Sequence, residues 1–90
     1  MSTTPVALVT GASGDIGAAI AKTLGKNGWH VIGTYVGAAD AAAATVAAVI
    51  DSGGSAEAMQ LDQRNPAAID EIIAAISENH GRLDVLVNNA

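Results

Sequence analysis

Thr10-Gly11-Ala12-Ser13-Gly14-Asp15-Ile16-Gly17 is a polar, glycine-spaced segment that leaves one regular element and opens another. Before it, Val6-Ala7-Leu8-Val9 is a continuous apolar run, the pattern of a parallel strand buried on both faces. After it, Ile16, Ile20 and Leu24 recur every four residues, with Ala19 and Thr23 beside them. That period predicts a helix from Asp15 to Asn27, with Gly28 in the left-handed position that ends it. A strand, a glycine turn and a helix in this order begin a βαβ unit.

The alternation continues outward. Trp29 to Val36 reads as a second strand closed by Gly37. From Asp40 to Ser52 an alanine-rich stretch places Val46, Val49 and Ile50 on one face, with Asp40 as the N-cap and Gly53-Gly54 as the stop. Ala56, Ala58 and Leu61 mark a third strand. Asn65-Pro66 is a cap followed by proline at the first helical position. Ile69, Ile72, Ile73 and Ile76 then follow at i, i+3, i+4 and i+7, and His80-Gly81 ends that helix. Leu83-Asp84-Val85-Leu86-Val87 supplies a fourth strand.

Four strands joined by helices must run parallel, with right-handed crossovers. The expected fold is α/β, a doubly wound parallel sheet of order 3-2-1-4 with three helices. The first two helices lie on one face and the third on the other. The order reverses between strands one and four, and such sheets bind ligands at the carboxyl ends beside that reversal. Those ends carry Thr10-Gly11 and Asn88-Asn89.

Composition sets the bounds. Ninety residues form one domain, above the size at which cores need disulfides or metals. Trp29 and Tyr35 are the only aromatics and phenylalanine is absent, so the core must come from Val, Ile and Leu. Without cysteine there is neither a disulfide framework nor a thiolate zinc site, which fits a reducing compartment. A formal charge of −5 gives no electrostatic footprint for nucleic acid or an anionic membrane. Met1 to Pro5 lacks a basic, apolar leader, and no apolar run approaches the ~20 residues of a membrane span, so a cytoplasmic protein is expected.

The glycine turn is an anion site by construction. Unpaired amides at a helix start face the crevice with the positive end of the helix dipole behind them. Glycine admits a phosphate where a Cβ would block it, and Ser13 adds a hydroxyl. A P-loop is excluded because Lys22-Thr23 lies inside the helix. Gly11, Gly14 and Gly17 fall three apart, not in the Gly-x-Gly-x-x-Gly spacing, so spacing leaves both dinucleotide binding and a merely structural turn open.

The glycine turn, Asp62 after the third strand and Leu86-Val87-Asn88-Asn89-Ala90 together resemble the short-chain dehydrogenase/reductase family, notably its members similar to 3-oxoacyl-carrier-protein reductases. The likeness runs along the whole chain but only the first third to half of a usual member. It implies the dinucleotide-binding part of a Rossmann-type domain. It also implies an NAD(P)(H) cofactor and hydride transfer to or from a carbonyl or hydroxyl substrate. By the same resemblance Gly11, Ser13, Ile16 and Gly17 hold the pyrophosphate, Asp62 meets the adenine, and Asn89 and Ala90 lie beside the adenosine ribose. Gly14 and Asp15 within the turn, Tyr35 at the end of the second strand and Gln63 next to Asp62 complete the candidate cofactor site.

Asp15 departs from the family pattern, which has glycine there, with this chain's glycine one position earlier as Gly14. Its carboxylate either suits the helix dipole and points away from the phosphates, or crowds them. Cofactor choice is read near the end of the second strand. The absence of an acid before Asp40 leans toward NADP(H) over NAD(H), without a nearby Arg or Lys to reinforce it.

No catalytic residue is expected in these 90 residues. The resembled family uses a serine and a tyrosine with a lysine four residues on, whereas Tyr35 is followed at that distance by Ala39. Ser52, Ser55 and Ser77 read as capping or turn residues, and Arg64 and Arg82 as solvated loop residues, with contact to the adenine the alternative for Arg64 beside Asp62. Asp70, Glu71 and Glu78 read as an exposed helix face. His30 and His80 are expected at the surface or a helix end, not in a metal-like pair and not on the crevice side, so no metal site is expected. Two functions follow: the front part of an oxidoreductase, or a stand-alone dinucleotide-binding or sensing module without chemistry. The fourth strand is a bare apolar edge, uncovered on its face away from the third helix. It is expected to pair with a second copy or with a carboxyl-terminal part.

Overall fold

Val6 to Val9 form the central strand β1, and all four side chains are buried, as a continuous apolar run between two helical layers requires. The computed structural model describes residues 4–62 and 64–88. In chain order β1 is followed by α1 (Asp15–Lys26), β2 (His30–Tyr35), α2 (Ala39–Asp51), β3 (Ser55–Gln60), α3 (Pro66–His80) and β4 (Val85–Val87). The strands are parallel in the order β3-β2-β1-β4, the doubly wound arrangement expected from the sequence. Each boundary falls within a residue or two of expectation.

Local chemistry sets the helix ends. The Asn65 side chain accepts a hydrogen bond from the Ala67 amide at 3.1 Å, and Pro66 opens α3. Gly28 and Gly81 end α1 and α3 in left-handed conformation. Asp40, expected as the N-cap of α2, instead lies in its first turn. Ala38 occupies the cap without a side-chain hydrogen bond, the cap falling two residues earlier than the sequence suggests.

Strand alternation splits the core in two. Val6, Leu8, Ile32 and Leu61 pack under Ile72 and Ile76 of α3, with Met59, Ile69 and Leu83 alongside. On the opposite face Val9, Ala12 and Val31 pack against Ala21 of α1 and Val49 of α2.

The helix faces on that second side correct the sequence reading. The periodic Ile16, Ile20 and Leu24 do not form the innermost stripe of α1; Gly17, Ala21 and Gly25 do, and Ile16 is 69% exposed. In α2 the buried residues are Ala42, Thr45 and Val49, whereas Ile50 is 52% exposed. Small residues let the two helices settle closely on each other and on the sheet, which outweighs the burial of an extra isoleucine at the rim. A Cβ added at Gly25 would lie 2.5 Å from Val49 Cγ1.

At the other edge, β4 is open on both faces: Val85, on the expected face away from α3, is exposed, and so is the face toward α3. Val87 packs with the α1–α2 core, but Leu86, paired with Leu8 on the α3 face, is 55% exposed. The reason is the position of α3, whose buried Ile72 and Ile76 cover β1 and β2 rather than β4. Leu86 therefore borders an apolar hollow of about 290 Å³ shared with Leu8, Ile69, Ile72 and Ile73. Among the described residues no helix is long and apolar enough to cross a membrane.

Candidate functional site

The glycine turn leaves β1 at the carboxyl end of the sheet, held by three neighbours. The Ala12 amide donates to Thr34 O of β2 at 2.9 Å, and Thr45 Oγ1 of α2 donates to Ala12 O at 3.0 Å. The Thr10 amide donates to Val87 O of β4 at 3.0 Å, and the Thr10 hydroxyl is shared between Val87 O and Asn88 Oδ1, each 3.3 Å away. Thr10-Gly11 and Asn88 thus meet at the strand-order reversal. Asn88 lies among the described residues; Gln63, Asn89 and Ala90, the other site residues expected there, lie outside them.

Gly11 adopts φ +68°, a left-handed conformation that costs an L side chain roughly 1–2 kcal/mol. Gly14 caps α1, and the first hydrogen bond across the helix start runs from the Ala18 amide to Gly14 O at 2.9 Å. The amides of Asp15, Ile16 and Gly17 precede it, so the positive end of the helix dipole carries three donors suited to an anion. Asp15 and Ile16 are exposed and Gly17 is buried.

Beside the turn, Gly11, Ser13, Thr34, Tyr35, Val36 and Gly37 line a crevice of about 150 Å³ floored by Leu61. Its far wall is pinned by the Gln60 side-chain amide, which donates to Val36 O at 2.9 Å. The structure therefore brings together Gly11, Ser13 and Tyr35 around one crevice.

Asp62 follows β3 at the same sheet end and is already engaged. Arg64 donates to Asp62 Oδ1 from its backbone amide and from Nε, both at 3.0 Å, and to Oδ2 from Nη2 at 2.8 Å. Hydrogen bonding by the Arg64 side chain, then by its amide, lowers the Asp62 pKa to about 2. Asp62 therefore stays an anion and an acceptor, with spare capacity on Oδ2. Arg82 likewise forks onto Asp84, donating from Nε to Oδ2 at 2.8 Å and from Nη2 to Oδ1 at 2.6 Å. Asp84 Oδ2 also accepts from the Val6 amide at 2.8 Å, tying the start of β4 to β1. That guanidinium, with the Val6 amide, holds the Asp84 carboxyl below its ordinary range. Arg82 thus corrects the reading as a solvated residue, whereas Arg64 is solvated as expected, its side chain 88% exposed, and also forks onto Asp62. An Arg-x-Asp or Asp-x-Arg spacing across a tight loop was the available signal.

The histidines give the largest correction. His30 and His80, expected to be unrelated, converge with Glu57 so that one ligand atom from each lies within 4.8 Å of the others. The β2–β3 register and the return of α3 across the sheet bring them together, at the opposite end from the glycine turn. Thr45 was also missed, although Ala42, Thr45 and Val49 at i, i+3 and i+7 already mark a polar residue on the inner face of α2.

Comparison with known proteins agrees with this geometry. Residues 5–90 match the family described as short chain dehydrogenase. The chain belongs to that family. It is 44% identical to a 3-oxoacyl-[acyl-carrier-protein] reductase of Synechocystis sp., over 98% of this chain and 36% of that protein. It is 43% identical to a 3beta-hydroxysteroid dehydrogenase of Mediterraneibacter gnavus, over 94% of this chain and 30% of that protein. A metagenomic short-chain oxidoreductase in complex with NADP superposes with a TM-score of 0.91 at 42% identity, covering 96% of this chain and 38% of that one. The angucycline C-6 ketoreductase LanV with bound NADP gives 0.84 at 39% identity, covering 96% and 36%. The chain thus spans about a third of the length of these relatives.

Proposed function

We propose that these residues are the dinucleotide-binding front part of a cytoplasmic oxidoreductase that passes hydride between a nicotinamide cofactor and a carbonyl or hydroxyl substrate. The observation that carries the reading is the glycine turn, whose three leading amides open at the carboxyl end of the sheet, between the crevice at the ends of β1 and β2 and the strand-order reversal where Thr10 meets Val87. Gly11, Ser13, Gly14, Ile16 and Gly17 would hold the pyrophosphate through backbone amides and the Ser13 hydroxyl. Asp15 would stand on the exposed side of the first turn, and Tyr35 would face the ribose nearest β2. Asp62 and Gln63 would meet the adenine, with Asn89 and Ala90 beside the adenosine ribose. The cofactor, when bound, supplies the hydride donor or acceptor. The residues of this chain anchor and orient it. Tyr35 has Ala39, not lysine, four positions on, so proton transfer is assigned to residues beyond these 90, which alone are expected to bind cofactor without turning it over.

NADP(H) is the favoured cofactor. The end of β2 presents Thr34, Tyr35, Val36 and Gly37, and Asp40 is the first acid after them, so no carboxylate at the strand end selects the free ribose hydroxyls of NAD. Calorimetric titration of the protein is expected to show tighter binding of NADPH than of NADH. The reverse order would overturn the preference, and no binding of either would sink the functional reading.

The open side of β4 is the proposed contact for a second copy, or for a carboxyl-terminal part where a longer chain carries one. Leu86 is exposed beside the apolar hollow and Val85 is exposed on the other face, and unpaired apolar strands recruit partners. Sedimentation velocity of these 90 residues is expected to show association, and a monodisperse monomer would contradict it.

A further inference from the structure

His30 opens β2, Glu57 is the third residue of β3 and His80 ends α3. The register pairs His30 with Ser55 and Ile32 with Glu57, so His30, Ser55 and Glu57 all face α3. His80 follows the buried Ile76 by one turn and arrives over the same patch. His30 Nε2 and His80 Nε2 lie 3.1 and 3.4 Å from one carboxylate oxygen, Glu57 Oε2. The two imidazole rings stand 4.6 Å apart between centroids.

Two of these separations are close to those of a metal polyhedron. Ligands about 2.0–2.2 Å from a tetrahedral zinc stand roughly 3.3–3.6 Å from one another. The two nitrogen–oxygen gaps already approach that spacing, and the third ligand pair is within 4.8 Å. The support around the ligands is also in place. His30 Nε2 hydrogen-bonds Glu57 Oε2 at 3.1 Å and Nδ1 is 2.8 Å from Ser55 Oγ, so when a cation displaces the Nε2 proton the ring can carry its proton on Nδ1, held by Ser55. His80 Nε2 is buried and makes no hydrogen bond, its 3.4 Å approach to Glu57 lacking the alignment for one. A cation between the three groups gives that nitrogen its missing partner. Two imidazoles and a carboxylate are a donor set for borderline transition cations, whereas calcium and magnesium favour oxygen-only sites.

We propose that His30, Glu57 and His80 bind one divalent cation of the zinc class, with a fourth position open to solvent. The site is remote from the glycine turn, so it acts on stability rather than on the cofactor. It clamps the end of α3 to β2 and β3.

Titration of the protein with zinc chloride at neutral pH is expected to show one ion bound per chain, and cobalt(II) to give the absorption of a tetrahedral nitrogen–oxygen site. His30→Ala and His80→Ala are each expected to weaken zinc binding by more than about 100-fold, and Ser55→Ala by about 10–100-fold. Zinc in about hundredfold excess over its Kd is expected to raise Tm by roughly 10 °C or more, and the histidine variants to lose that rise. Glu57→Gln keeps the side-chain size at a half-exposed position and supplies the same comparison if a histidine variant fails to fold. The absence of stoichiometric zinc binding overturns the proposal, as does zinc affinity unchanged in the folded His80→Ala or Glu57→Gln proteins.

Discussion

Gly25→Val is expected to destabilise the protein by about 3 kcal/mol, at the upper end of ordinary overpacking. A Cβ at this position lies 2.5 Å from Val49 Cγ1, inside any real contact distance. Val49 is fully buried and β-branched, so its χ1 is held to one rotamer in a helix and it cannot swing aside. Gly25 also receives the chain after α2, since a Cβ on Gly54 would lie 2.8 Å from Gly25 O. Relief of glycine's backbone entropy returns at most about 1 kcal/mol, less than the clash costs. Urea unfolding followed by circular dichroism measures the change, and an unaltered or raised midpoint would sink the account. Gly25→Ala adds the clashing Cβ and Val49→Ala removes the methyl it meets, so the double variant is expected to be less destabilised than the sum of the single variants.

The second large effect is on binding. Gly11→Val is expected to weaken dinucleotide affinity by about 100-fold, or about 2.7 kcal/mol, and to lower stability by about 1–3 kcal/mol. A β-branched residue at φ +68° is a steric outlier, so the turn must shift. The shift passes to the Ala12 amide bonded to Thr34 and to the Ala12 carbonyl bonded to Thr45, which set where the α1 amides point. NADPH titration of the folded variant reads this directly, and wild-type affinity would remove Gly11 from the site. Asp15→Gly is the companion measurement. Asp15 is exposed in the first turn of α1, where a carboxylate suits the dipole, so affinity is expected to stay unchanged. A tenfold gain would show that its charge crowds the phosphates.

The clearest sequence signals are those written into the backbone of each segment. The apolar run Val6–Val9 became a strand buried on both faces, and the Asn65-Pro66 cap and Gly81 bounded α3. Strand order followed because helical connections force parallel pairing and right-handed crossovers. The sequence alone places Thr10-Gly11 and Asn88 together, since they sit at the carboxyl ends of the two strands flanking the reversal.

Less legible were the choices that depend on what another element presents. In the alanine-rich α2, several faces look alike, and the one buried is the one that lets Thr45 reach Ala12 O and Val49 fit against Gly25. Ile16 and Ile50 satisfy a helical period yet remain exposed, because close approach of small residues gains more contact than a bulky rim residue.

Segment type, helix ends, strand order and the position of the glycine turn are thus properties of the linear chain, carried by periodicity, capping chemistry and the handedness of L-residues. The inward helix faces, the Asp62–Arg64 and Asp84–Arg82 forks, the open Leu86 face of β4 and the His30–Glu57–His80 cluster arise only once the chain is packed. Each depends on register and on ångström-scale separations between distant segments, which local residue patterns do not encode.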